Sequence, residues 1–242
     1  VVLSYAQQHF TNNLIHTDEG KAIGYSYLKE RGFAPEIIEK FQLGFGLESW
    51  DAFTQDALKN AYKLEYLEKT GLTITKDNRH YDRFRGRVIF PIHNFTGKVI
   101  GFGGRILKPD ANAAKYINSP ESGIYEKRKV LYGIYFAKKA IASKDNCFLV
   151  EGYTDVITLY QAGVDNVVAS SGTSLTEDQI RLIKRLTKNI TILYDGDAAG
   201  IKASFRGIDL ILEEGMNVKI VLFPDGEDPD SFTKKVGGAA LH

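Results

Sequence analysis

The chain has 242 residues, 43% hydrophobic and 12% aromatic, enough to bury a substantial core as one large or two small domains. Its single cysteine, Cys147, excludes a disulfide framework and an internal zinc ribbon and points to a reducing compartment. No apolar run reaches membrane-spanning length and no signal peptide precedes the first helix. The net charge of +1 hides a segregation: residues 79–139 hold 13 Lys/Arg against 4 acids, and residues 145–230 hold 15 acids against 7 Lys/Arg. A basic block beside an acidic block suits a polyanion held next to bound cations, with a solvated basic surface as the bland alternative. Opening on Val1 and stopping after a Gly-Gly-Ala-Ala run, the chain reads as a piece of a longer protein.

Residues 4–16 carry Tyr5, His9, Phe10 and Leu14 at helical spacing. A second helix covers 19–31 and stops at Gly32; Pro35 suits the first turn of a short third helix, Glu36 to Phe41. Two more helices run Trp50–Lys59 and Lys63–Lys69, closed by Thr70-Gly71. The pattern then changes: VIFPI and KVIGFGG are β-type runs separated by a turn at 93–97. Residues 107–123 read as loop, followed by a helix over about 133–143.

From Cys147 the alternation is regular. Strands are predicted at 147–150, 166–170, 190–194 and 218–223, with helices at 154–162, 176–187 and 199–214. The strands are almost continuously apolar, as in a parallel sheet covered on both faces. Gly163 and Gly215 sit where helices end, and Thr176 with Gln179 matches a capping box. The fold class read from this is α/β: an N-terminal mixed α+β basic subdomain, 1–132, then a parallel α/β sheet subdomain, 133–242.

Three of these strands run straight into carboxylates. CFLVEGYTD ends on Glu151 and Asp155, NITILYDGD on Asp195 and Asp197, and KIVLFPDGEDPD on Asp225, Asp228 and Asp230. In an open parallel sheet the carboxyl ends of the strands form one edge. So many like charges repel unless compensated, and hard divalent cations take oxygen ligands. The reading is a metal-dependent site suited to phosphoryl chemistry. Each motif alone also fits helix capping, and Asp230 in particular could cap a helix beginning at Ser231. DGDAAG resembles the start of a calcium loop but lacks the later acids. No nucleophile elbow, H-E-x-x-H or P-loop competes.

The basic block has its own pattern. Asp82-Arg83-Phe84-Arg85-Gly86-Arg87, if extended, puts the arginines on one face with Phe84 opposite, a row able to follow a phosphate backbone. Gly101-Phe102-Gly103-Gly104-Arg105 permits close backbone approach and presents one arginine. Lys115, Asn118 and Lys127 continue the basic side.

At these residues the chain resembles a known family. EGYTDV, YDGDAAG and PDGEDPD are similar to the glutamate and two DxD elements of the Toprim fold. DRFRGRVIFPI, GKVIGFGGR, KYINSPES and LYG resemble the bacterial replicative primase of the DnaG type, in order from about Tyr25 to Ser231. The resemblance implies a DNA-directed RNA polymerase that makes short RNA primers on single-stranded DNA from ribonucleoside triphosphates. It implies more than one Mg²⁺ or Mn²⁺ ion on Glu151, Asp195, Asp197, Asp228 and Asp230, with Glu151, Asp195 and Asp197 catalytic and Asp155 in support. It assigns Arg105, Lys115, Asn118 and Lys127 to the incoming nucleotide or primer, and Arg83 and Arg85 to the template. It implies a bacterial cytoplasmic protein at the replication fork. A zinc-binding domain upstream and a helicase-binding domain downstream are expected outside these residues, the helical end of the core being cut. Thr154 stands where the family commonly has Met. A Toprim nuclease or topoisomerase and a non-catalytic binding module are the alternatives.

Overall fold

The βαβ alternation read from Cys147 onward is realised as a four-stranded, wholly parallel sheet. The computed structural model describes residues 1–108, 113–172, 174–194, 207–223 and 227–237. Its contacts divide the chain into two units, Val1–Ile92 with Lys98–Tyr125, and His93–Gly97 with Glu126–His242.

In the first unit α1 (Val2–His16) buries Leu3, Ala6, Phe10 and Leu14 along one stripe, the repeat of three to four residues that a helix turns toward its core. The segment read as one helix over 19–31 is wound in two ways, a π-helical stretch Gly20–Tyr25 followed by α2 (Ser26–Glu30). A Cβ on Gly20 would lie 1.9 Å from the Asn13 carbonyl oxygen, so the wide turn requires glycine there. Gly32 has φ +82° and ends α2 in the left-handed conformation that glycine adopts freely. Then come α3 (Pro35–Lys40), β1 (Gly44–Gly46), α4 (Ala52–Lys59) and α5 (Leu64–Lys69).

Next is a hairpin absent from the sequence reading, β2 (Thr73–Lys76) against β3 (Arg79–Asp82). Its turn residues Asp77 and Asn78 both have positive φ, the requirement of a tight type I′ connection. β4 (Arg87–His93), β5 (Val99–Ile106) and β6 (Tyr116–Asn118) complete a sheet of order β1-β4-β5-β6. β6 falls inside the stretch read as loop. Pro91 stands inside β4, two residues beyond the stretch Arg87 to Ile89 that pairs with β1.

The second unit contains α6 (Ile134–Lys144), β7 (Cys147–Val150), α7 (Tyr153–Gln161), β8 (Val167–Ala169), α8 (Glu177–Lys184) and β9 (Asn189–Tyr194). After it come α9, described over 207–213, β10 (Asn217–Leu222) and α10 (Pro229–Val236). The sheet order is β10-β9-β7-β8. One face packs Cys147, Leu149, Val168, Ile190 and Ile192 against Ile141, Ile180, Ile183 and Ile211. The capping box of α8 is formed, Gln179 N–H donating to the Thr176 hydroxyl at 3.2 Å.

The sequence reading divides the chain at 132/133, and the contacts divide it at 125/126. The difference lies in the 3₁₀ turn Lys127–Lys129. The fully buried Gln179 amide donates to the carbonyls of Lys127 and Val130, and the Thr176 hydroxyl donates to that of Arg128.

Candidate functional site

In the second unit the acids follow the strand ends. Glu151 comes directly after β7 and is exposed; its carbonyl accepts the Ser171 N–H at 3.0 Å across the β7–β8 edge. The adjacent strand β9 ends at Tyr194. Asp195, Asp197 and Asp225 lie outside the described residues. Asp155 sits in the first turn of α7, where its carboxylate accepts the Gly152 N–H at 3.0 Å, so it fixes the turn that follows Glu151.

The second DxD pair divides its work differently from the capping alternative raised by the sequence. Asp228, not Asp230, is the N-cap of α10, accepting the Ser231 N–H at 2.6 Å. Pro229 takes the first helical position, where no N–H is needed. Asp230 is therefore already inside the helix and buried. It accepts a hydrogen bond from the Thr158 hydroxyl of α7, and Lys234 lies 2.9 Å from its other oxygen. An all-oxygen donor set is the right chemistry for a hard cation. Among the described residues no three acids, histidines or cysteines come together as a metal-holding group, the DGD pair being outside them.

In the first unit the expected row of arginines is not a row. Residues 83–86 form a turn, with Gly86 at φ +64°, so the alternation of an extended chain does not apply. Phe84 is buried in the core. Arg83 donates from Nε to the Asn118 carbonyl at 3.2 Å, and burial pulls its guanidinium below the ordinary value. Arg87 is buried, donating to the carbonyls of Gly104, Ala114 and Lys115. Arg85 alone turns outward, its guanidinium carbon 3.7 Å from the ring centroid of Trp50, which is 58% exposed. Trp50 edges onto Tyr81. Sequence reasoning treated Trp50 only as a helix start, and no local signal marks its exposure.

Arg105 and Asn118 share one face of the β5–β6 pair, since Arg105 is opposite Tyr116 and Gly103 opposite Asn118. Lys115 is exposed just before β6. Lys127 belongs with the second unit and reaches the Gly172 carbonyl at 3.4 Å, beyond β8. Tyr27 in α2, which opens the run YLKERGF and to which the sequence assigns no role of its own, has its ring centroid 4.8 Å from the Arg105 guanidinium carbon.

Residues 9–138 match the family model described as DNA primase catalytic core, N-terminal domain, and residues 148–233 match one described as Toprim-like. The DNA primase of Halalkalibacterium halodurans is 48% identical over 98% of this chain and 39% of its own length. The solved RNA polymerase domain of Mycobacterium tuberculosis primase DnaG superposes with a TM-score of 0.91 at 34% identity, over 99% of this chain and 79% of that one. A DnaG primase catalytic domain solved bound to single-stranded DNA gives 0.89 at 38% identity, over 99% and 77%. The chain spans about two fifths of the length of the curated relatives it matches. No helix among the described residues is long and apolar enough to cross a membrane.

Proposed function

The chain belongs to the DnaG-type DNA primase catalytic-core family with a Toprim domain, and from that premise we propose that it synthesises short RNA primers on single-stranded DNA by metal-dependent nucleotidyl transfer. The observation that supports this most is the parallel sheet whose strands β7 and β9 lead into Glu151 and the Asp195–Asp197 pair, with Asp228 and Asp230 opening α10. On this reading Glu151, Asp195, Asp197, Asp228 and Asp230 hold Mg²⁺ or Mn²⁺. Ions held there would supply the Lewis acidity to activate a primer 3′-hydroxyl and the positive charge to offset a leaving pyrophosphate.

The protein's own groups do the positioning. Asp155 and Asp228 hold the turns that follow β7 and precede α10, so the acids next to them start from fixed backbone. Arg105, Lys115, Asn118 and Lys127 bind nucleotide or primer through charge-assisted hydrogen bonds. Arg85, ordered on Trp50, meets the template backbone. Arg83 orders the Asn118 backbone and so assists from behind the surface. Ribonucleoside triphosphates, template and primer are the ligands on this reading, and a replicative helicase is the partner of a domain beyond these residues.

The test is Asp195→Asn. Primer synthesis on a single-stranded template should fall on the order of a hundredfold or more, as expected when a charge acting on the transition state is removed. Single-strand DNA affinity should stay as it was. Unchanged synthesis, or strand cleavage by the wild-type protein under the same conditions, would overturn the reading.

A further inference from the structure

Two guanidinium groups of the first unit lie over one aromatic ring, that of Tyr27. Arg105 on β5 lies opposite Tyr116 on β6; its Nη1 donates to the Tyr116 hydroxyl at 3.2 Å and its guanidinium carbon is 5.5 Å from that ring's centroid. The same carbon is 4.8 Å from the centroid of Tyr27 on α2. Arg31, one helical turn after Tyr27, brings a second guanidinium to 5.9 Å from the Tyr27 ring.

What is missing around Arg105 is as informative as what is present. Among the described residues it makes no ion pair with a carboxylate, and its Nε is buried without a hydrogen-bond partner. A carboxylate would occupy the N–H fork of a guanidinium, whereas an aromatic face attracts the cation and leaves its in-plane donors available. Held over two ring faces, the Arg105 guanidinium keeps in-plane N–H groups that no carboxylate among the described residues takes up. Guanidinium donors match the oxygens of phosphate.

We propose that Tyr27 is a positioning residue: its ring holds the Arg105 guanidinium so that the free donors present themselves to phosphate oxygens. The proposal rests on the reading of Arg105 as a nucleotide or primer ligand. It adds a residue of α2 that touches no substrate and acts only through Arg105. The phosphate has two possible sources, the nucleoside triphosphate or the backbone of the primer strand, and the same variants tell them apart.

The experiment compares Tyr27→Leu, Tyr27→Phe and Arg105→Ala, and the double variant, in the whole protein. KM for nucleotide and kcat are measured in primer extension, the Kd for a primer–template strand by fluorescence anisotropy, and the melting temperature by calorimetry. Tyr27→Leu removes the π face while keeping apolar bulk. It should raise KM about five- to thirtyfold, the range of one cation–π contact, with kcat within about twofold of wild type. A rise in strand Kd with KM unchanged supports the same role and assigns the phosphate to the primer. Tyr27→Phe keeps the ring and should match wild type. On the Arg105→Ala background Tyr27→Leu should add nothing, because the two act as one unit; this arm reads the coupling even where Tyr27→Leu lowers the melting temperature. Additive effects, an unchanged KM and Kd in Tyr27→Leu, or equal damage from Tyr27→Phe would overturn the proposal. If Arg105→Ala alone changes neither KM nor Kd, the assignment of Arg105 itself fails.

Discussion

The residue with the sharpest electrostatic consequence is His93, which ends β4 and groups with the second unit. Its ring is buried, stacked with Tyr135 at 5.9 Å and edge-on to Phe136 at 5.2 Å. Burial among these rings pushes its pKa down from the ordinary 6.5 to about 4. The unfolded chain therefore binds the proton that the folded one refuses, and stability falls as pH drops from about 6.5 to about 4. Between pH 7 and pH 5 this one group should cost roughly 2 kcal/mol. Urea unfolding of wild type and His93→Phe at both pH values checks this. The variant should lose distinctly less on acidification, and equal losses would refute the assignment. Nothing in the sequence marks His93 as buried; it was legible only as part of a turn. The arginines nearby tell the same story in reverse. Their spacing in DRFRGR suggested one shared face, but the left-handed backbone at Gly86 sends Arg83, Arg85 and Arg87 to three different environments. A run of alternate charges predicts a row only where the chain is extended.

At the scale of elements, the second DxD pair combines capping with its proposed metal role, and the two can be separated. Asn caps a helix about as well as Asp, whereas Ala costs about 1 kcal/mol. Asp228→Asn should therefore leave the melting temperature near wild type while weakening Mn²⁺ binding, and Asp228→Ala should lower both. Calorimetry alongside Mn²⁺ titration followed by electron paramagnetic resonance reads the two effects independently. A drop in melting temperature for Asp228→Asn equal to that of Asp228→Ala would show that the charge, not the cap, stabilises α10. The capping question also marks where the sequence misleads. Ser231 looked like the helix start, but proline at 229 is itself a helix-opening residue, which moves the cap back to Asp228 and carries Asp230 into the first turn. The hairpin β2–β3 escaped the reading for a related reason. Its strands, TITK and RHYD, carry little apolar alternation, and the signal lies in the Asp77-Asn78 turn. Asp82, at the end of that hairpin, is buried and accepts the N–H groups of Phe53 and Thr54, so it caps α4 from 28 to 29 residues away in the chain. No local pattern reports such a bond.

Across the whole molecule, the parallel sheet was the most legible feature, because the runs CFLV and ITIL are almost continuously apolar and are buried, while the edge strand β10 leaves Lys219 and Ile220 exposed. The acids at their carboxyl ends were legible for the same reason. The segregation of charge leads to the last expectation. A protein of net charge +1 should bind a polyanion weakly if its charges were mixed evenly. Here Arg85 and Lys115 are exposed in the first unit, while the acids of the sequence concentrate in residues 145–230. Binding of a single-stranded oligonucleotide should therefore be driven by local counterion release and weaken steeply with salt, by about 0.7 in log–log slope for each phosphate neutralised. Arg85→Ala should make the slope shallower by about 0.7. Lys219 is equally cationic but sits exposed on β10 in the second unit, outside the basic block, and Lys219→Ala should leave the slope unchanged. Anisotropy titrations across a range of potassium chloride concentrations measure all three. Equal changes in the two variants would mean that net charge alone steers the strand; a change confined to Arg85→Ala would locate the interaction in the basic block, where a template must lie if the chain copies it.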